Sequence, residues 1–504
     1  MKKIIAIMLI VSFCFTLFSC DNDTSKEPET TEKYVLPTPV ISSDISLPYT
    51  SAADFNPYST TASLNRDLIP VIFEPLFFAT SNGKGEAVLA STSKIDDKTV
   101  TIKLKNDLKF SDGTELLASH VKKSFENAKA SPYYSAQLSN VLDFVIIDNF
   151  TIRLSLYSVD LLINNALNFP IAKEKKGEYI GSGKYYVEYF NEKPYLEINK
   201  YHRDYSESLN QQIALYDMAG ITGPVYPFKA NEISVYKNDL SRAEYLNLSS
   251  ETISVETDSL VYIGVNSHWA GSVTSIATIR QAINMGIDRT VISASSYLGQ
   301  GSPTATPFKN DFYALDGVEK VSLKGDIEKA VKLLEKDGFD KVNSDGIRGN
   351  GGINLNVSIL VCTENQYKLT VAENFKAALE KLGFSVSINK KDTQEEFLLS
   401  LSEGYYSFYV GEVMLTPNCD LDSFFTEGGS FNYGIPADMF SIYSSYKNGE
   451  IEIAEFIKNF ESYVPFIPLF YRKDVVSVNP NISGIGESYK MYSTVSDWKL
   501  NKAN

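Results

Sequence analysis

An α/β fold is the class this sequence predicts, and three patterns predict it. First, Leu355, Val357 and Ile359 alternate as in a strand, and so do Phe384, Val386 and Ile388. Between them Val371, Phe375, Ala378, Leu379 and Leu382 recur at helical spacing, so the stretch reads as a βαβ unit with a parallel sheet. Second, residues 56–165 carry alternating stretches and few helical ones. Third, the character changes near residue 260, from strands to alternating helices and strands.

The elements follow in order. Residues 41–47 read as a first strand, which Asp54-Phe55-Asn56-Pro57 breaks. Residues 68–78 begin as a helix that Pro70 and Pro75 limit. Val100, Ile102 and Leu104 alternate with Thr101, Lys103 and Lys105, a half-buried strand. Ile152, Leu154 and Leu156 repeat that pattern, and residues 118–128 form a helix between the two. Residues 181–187 open a strand at a Gly-Ser-Gly turn, and residues 260–265 form another. Ile276, Ile279, Ile283 and Ile287 share a helix face, as do Ile327, Ala330, Val331 and Leu334. Residues 464–470 and 475–478 read as two late strands.

The chain has 504 residues, enough for more than one domain. Hydrophobic residues make up 43% and charged residues 22%, which excludes a wholly disordered chain. Lys plus Arg is 47 against 62 for Asp plus Glu, a net −15 that argues against a nucleic-acid partner. His120, His202 and His268 are far apart in sequence. With four cysteines they leave little material for a metal or catalytic cluster. No Gly-x-Ser-x-Gly elbow or His-Glu-x-x-His pair occurs, so an enzyme reading has no positive feature. No metal and no cofactor is expected.

Lys2 and Lys3 precede an apolar run over residues 4–18, a leader too short to span a membrane comfortably. It ends in Leu17-Phe18-Ser19-Cys20, which resembles a bacterial lipobox. That resemblance implies cleavage before Cys20 and two acyl chains on it, enough for stable anchoring. Residues 21–33 form a polar stalk. The expected location is therefore the extracytoplasmic side of the cell membrane. Cys362 and Cys419 remain, either paired or as two free thiols.

Five motifs, in one order, carry a second resemblance. They are Phe55-Asn56-Pro57 with Val71-Ile72-Phe73-Glu74-Pro75-Leu76-Phe77; Leu108-Lys109-Phe110-Ser111-Asp112-Gly113-Thr114; Gly181-Ser182-Gly183-Lys184-Tyr185; and the residue 279–289 helix, with Ile279-Arg280-Gln281-Ala282-Ile283 and Ile287-Asp288-Arg289. Together they are similar to the family 5 extracellular solute-binding proteins of bacterial ABC importers, which include oligopeptide and dipeptide binders. The resemblance implies a two-lobed, periplasmic-binding-protein-like fold with an extra strand-rich domain on the first lobe. It assigns 1–19 to a signal peptide and 20–39 to the lipidated stalk. Residues 40–55 hold the opening strand of lobe I, 56–165 the extra domain, and 166–260 lobe I again. Residues 261–465 form lobe II, and 466–504 return to lobe I. Crossings between lobes fall at residues 259–265 and 464–470.

The implied activity is capture, without chemistry, of a peptide-like or other small solute between the lobes. Partners would be permease and ATPase subunits, with the protein itself a monomer. A sensor without transport and a cell-surface hydrolase are the rival readings. Tyr49, Thr50 and Thr61 would border the cleft on lobe I. Residues 299–307 would face it from lobe II. Residues 411–420 align with the strand beside the ligand, giving Glu412, Val413, Met414, Leu415 and Thr416 as candidates. Asn432 and Tyr433 lie in a further cleft-facing loop. Peptide binders hold the ligand ammonium with an Asp where this chain has Leu415. Glu412, Asp420 or Asp422 is left to replace that charge, and Glu412 meets either a cationic ligand group or a protein cation.

Arg280, Asp288 and Arg289 read as capping or pairing charges at the surface of a structural helix. Lys341-Val342-Asn343-Ser344-Asp345-Gly346 resembles half of a calcium loop, but Lys341 and Gly352 stand where both end acids are needed. Plain turn chemistry explains it equally. Gly349-Asn350-Gly351-Gly352 reads as a hairpin turn.

Overall fold

The computed structural model describes residues 45–242, 245–486 and 491–501. The leader, Cys20 and the stalk lie outside the described residues. The fold is α/β and two-lobed, and three sheets organise it.

The first lobe holds a four-stranded sheet in the order Ser46–Tyr49, Gln212–Asp217, Lys193–Ile198, Tyr185–Phe190. Its first pair is parallel and the others antiparallel. Of the opening strand expected over 41–47, residues 41–44 lie outside the described residues; the described strand runs Ser46–Tyr49. The helix Ser63–Ile72 begins before residue 68 and carries Pro70 in its last turn. The strand expected over 181–187 is split: one strand ends at Gly181 and the next begins at Tyr185. The break lies where Gly183 passes the backbone of Val71 and Ile72, too close for a Cβ.

A second, antiparallel sheet has the order Ala90–Asp96, Thr99–Leu104, Thr151–Leu156, Val141–Asp148. Val100, Ile102, Leu104, Ile152 and Leu154 are fully buried, as period-two alternation requires. The helix Ala118–Lys129 covers that face through Val121 and Phe125. This strand-rich module and the first lobe share one hydrophobic core, from Leu47 to Trp498.

The third sheet has seven strands. Its main path is Val235–Asn238, Phe466–Val478, Thr252–Val265, Phe408–Met414, Asn356–Cys362, Ser385–Lys391; Gly301–Pro303 pairs off this path with Phe466–Val478. The two late strands are in fact one strand of 13 residues. Asn356–Cys362 and Ser385–Lys391 are parallel and joined by the helix Gln366–Lys381, whose Asn365 caps the Tyr367 N–H. Separate cores pack on the two faces of the second-lobe part. Val261, Ile263 and Phe375 lie in one; Tyr262, Phe424 and Phe466 lie in the other. On the latter face Tyr262 lies over Gly411 and Tyr409 over Gly264, so close that a Cβ at Gly411 would sit 2.2 Å from the ring.

The helix expected through residue 289 breaks. It runs Ala277–Gly286, and Asp288 then caps a new helix, Arg289–Ser295, by accepting from the Thr290 and Val291 N–H groups. Nor are its arginines at the surface. Arg289 is fully buried and donates to the carbonyls of Pro468 (2.8 Å) and Asn284 (3.0 Å). Arg280 donates to the carbonyls of Tyr463 (2.9 Å) and Thr274 (2.9 Å). Burial pushes both guanidinium pKa values down to about 10. Carbonyl acceptors thus replace the carboxylates that surface pairing would use.

Candidate functional site

The two long strands, Thr252–Val265 and Phe466–Val478, serve both lobes. Residues 252–256 pair with 473–477 beside the first lobe, and residues 260–264 pair with 466–471 in the second. Between these blocks the register shifts, and Arg472 stands opposite the displaced residues. Thr257 fastens the bulge by donating to the Arg472 carbonyl at 2.5 Å.

Arg472 is 1% exposed, and charge surrounds it. Its Nε donates to Glu412 Oε1 at 2.8 Å, Nη1 to Asp474, and Nη2 lies 3.4 Å from Asp239 Oδ1. Glu412 Oε2 also accepts from the Tyr297 hydroxyl at 3.0 Å and lies 3.7 Å from Lys368 Nζ. Burial alone would lower the Arg472 pKa, but Asp474 and Glu412 outweigh it and raise it. Burial, reinforced by Glu412, holds the Tyr297 hydroxyl well above its ordinary value. Of the partners left open for Glu412, the structure therefore shows protein cations.

The neighbours of Glu412 alternate. Val413 and Leu415 are buried in the second-lobe core, while Met414 between them is 73% exposed. The Thr416 hydroxyl accepts from the Asp420 N–H, closing the following turn. Asn432 and Tyr433 lie elsewhere. Their neighbour Gly434 accepts from Ser267 N–H, just past the Val265 end of the sheet. That is roughly 20 Å from Met414 at strand rise. Tyr433 packs against Tyr409.

On the first lobe, Tyr49 is buried and stacks with Phe55 at 6.0 Å. Thr50 exchanges two hydrogen bonds with the buried Asn65 side chain, which also holds Ala53 and Asp54. Thr61 is exposed, and its carbonyl accepts from Arg66 at 2.8 Å. The Arg66 guanidinium lies 4.8 Å from the Tyr133 ring centre, a cation–π contact. Among the described residues no carboxylate comes within ion-pair distance of it.

A cavity of about 300 Å³ lies between the strand-rich module and the second lobe. Asp160 and Leu162 line it from the module; Phe308, Asn418, Asp420 and Tyr446 line it from the second lobe. Asn418 Nδ2 donates to Asp160 Oδ2 at 2.9 Å. Asp420 and Asp422, two of the candidate replacement charges, both pair with Lys447.

Asn343 uses its side chain to accept from Asp345 and Ile347 N–H groups inside a tight turn. Cys362 and Cys419 are free thiols. Among the described residues no group of three or more His, Cys, Asp or Glu side chains is placed to hold a metal ion. The sequence gives no sign of Arg472, Tyr297, Arg66 or Asp160, because Glu412, Tyr133 and Asn418, which meet them, lie far away in the chain. The charged run Arg472-Lys473-Asp474 inside an apolar strand pattern was the available signal for one of them.

Two lobes joined by a bulged pair of long strands define a class of proteins that close on a solute. Residues 85–432 match Bacterial extracellular solute-binding proteins, family 5 Middle, and the chain belongs to that family. It is 24% identical over 385 residues to the nickel-binding protein NikA of Staphylococcus aureus, covering 72% of this chain and 73% of that one. An ABC transporter substrate-binding protein from Sinorhizobium meliloti shares the fold at a TM-score of 0.70 and 17% identity, covering 90% and 99% of the two chains. So does the substrate-binding protein CtaP of Listeria monocytogenes, at 0.66 and 18%, covering 91% and 99%.

Proposed function

We propose that this protein is the lipid-anchored capture subunit of an ABC importer, held at the extracytoplasmic face by Cys20, with the lobe boundaries set out above. It takes a small organic solute that carries a carboxylate. The observation that carries the ligand class is Arg66. It is a cation without a carboxylate partner among the described residues, supported on Tyr133 and beside the exposed Thr61. A cation in that setting favours an anionic group. Leu415, buried where peptide binders place an Asp, offers nothing to a free ammonium. Glu412 acts through Arg472 on the joint between lobes.

The test is to identify copurified ligand by mass spectrometry and measure its affinity by calorimetry. Arg66→Ala should weaken it about ten- to hundredfold, the worth of a charge-assisted hydrogen bond. Equal affinity in the variant, or tight binding of unmodified peptides through their ammonium, overturns the ligand class. Retention of Cys20→Ala on membranes overturns the anchor.

A further inference from the structure

The strand-rich module shares its core with the first lobe, so those two form one body. The module also grips the second lobe. Leu162, alone among the module's described apolar residues, enters the second-lobe core that holds Phe308 and Phe312. At Gly83, with φ +81°, the neighbouring loop passes so close that a Cβ would stand 2.6 Å from Leu162 and 2.7 Å from Phe312. Polar ties surround this knob. The Tyr313 N–H donates to the Asn82 carbonyl at 3.0 Å, and Ser81 Oγ to Asp311 Oδ2 at 2.5 Å. Asn165 Nδ2 donates to the Pro417 carbonyl at 3.1 Å, and Asn418 Nδ2 to Asp160 Oδ2 at 2.9 Å. None of these residues lies in the paired long strands. The contact is a second tie across the joint, and the second lobe cannot swing about the bulge without shearing it.

The tie is a strained one. Among the described residues three buried side-chain atoms lack a hydrogen-bond partner, and two of them, Asn165 Oδ1 and Asn418 Oδ1, sit in this contact. Asp160 accepts only from the Leu162 N–H and the Asn418 amide, with no cation. Loss of hydration raises its carboxyl to about 6, with Asp420 adding to it. The cavity of about 300 Å³ beside it leaves the two surfaces incompletely packed. Parting the surfaces returns water to these groups, which offsets part of the cost of exposing Leu162.

From this geometry we infer that the module is a releasable latch. Leu162, seated in the core beside Phe308 and Phe312, holds the second lobe against the body formed by the first lobe and the module. The unmet polar groups around it keep that hold weak enough to break. The bulge at Arg472 sets the axis of the motion, and the latch sets how often the motion occurs. The device serves the capture reading, because it governs how long the lobes stay together. Its test uses no solute, so its failure leaves that reading standing.

The test is hydrogen exchange with small-angle scattering on the full chain, without added solute, at pH 7. The Tyr313 N–H reports the latch, since its acceptor lies on the module. Leu162→Ala should speed its exchange about ten- to hundredfold, with a much smaller change at the sheet amides of residues 409–413. The radius of gyration should rise in the same variant. Ser81→Ala, at an exposed position, should speed Tyr313 about two- to tenfold. Asp160→Asn removes the buried charge and should slow it. Unchanged exchange at Tyr313 in Leu162→Ala, or an equal rise at residues 409–413, overturns the latch. So does an unchanged radius where Tyr313 has sped up, or faster exchange in Asp160→Asn. Should Leu162→Ala not fold, Ser81→Ala and Asp160→Asn decide.

Discussion

Around Arg472 and around Asp160 the protein buries polar groups in opposite ways. At Arg472, three carboxylates meet one guanidinium, and Tyr297 and Lys368 complete Glu412. At Asp160, the carboxylate accepts only from neutral donors, the Leu162 N–H and the Asn418 amide, and the Asn418 Oδ1 is buried without a partner. A satisfied network fixes geometry, and here it fixes the point where the sheet passes from one lobe to the other. A carboxylate buried without a cation, beside an unmet acceptor, instead costs stability.

Removing charge from each place should separate them. Arg472→Leu leaves Glu412, Asp474 and Asp239 crowded without their cation, and should cost about 3–5 kcal/mol in denaturant unfolding. A loss below about 1 kcal/mol would show that the cluster is solvated and fixes nothing. Glu412→Gln keeps the shape but surrenders one charged bond, and should cost about 1.5–3 kcal/mol by the same measurement. At the cavity the sign reverses. The Asp160 pKa is about 6 folded against 3.8 for an ordinary aspartate, so the folded state holds its proton more tightly. The resulting penalty is present in full above pH 6 and is lost as pH falls from about 6 to about 4. Asp160→Asn should therefore stabilise the protein by about 1–3 kcal/mol at pH 7, because an amide can also donate to Asn418 Oδ1. That gain should vanish near pH 4. A destabilised variant at pH 7 would place Asp160 among the satisfied groups. Arg66→Ala, at a half-buried side chain that donates to the Thr61 carbonyl and stacks on Tyr133, should cost about 1 kcal/mol in thermal melts, and a loss above about 3 kcal/mol would make Arg66 structural.

Much of the fold was legible because alternation and helical spacing report burial directly. Val100, Ile102 and Leu104, and the βαβ unit ending at Ile388, show this. The break at Ile287 was hidden, since Ile287 keeps the apolar spacing while its backbone turns extended to let Asp288 cap the next helix. The single return strand was read as two because Arg472, Lys473 and Asp474 interrupt its apolar run. Those charges are the joint itself. In the site, Glu412 was visible, but Tyr297 and Arg472 lie 115 and 60 residues away, and no local pattern links them. Asp160 and Asn418 are 258 apart.

The shared first-lobe core has a temporal consequence. Leu47 is on the first described strand, and Trp498 stands near the end of the chain, yet both pack in that core with Tyr492 and Val495. The second-lobe cores draw mainly on residues between Leu240 and Val475. As the chain emerges, every residue of the second lobe is available before the first lobe receives its last aromatic side chains. The first-lobe core can therefore be completed only after the second lobe's residues have been made, at the entropic cost of closing the long loop between its ends. Until then the first lobe has an incomplete interior, and the cleft has only one finished wall.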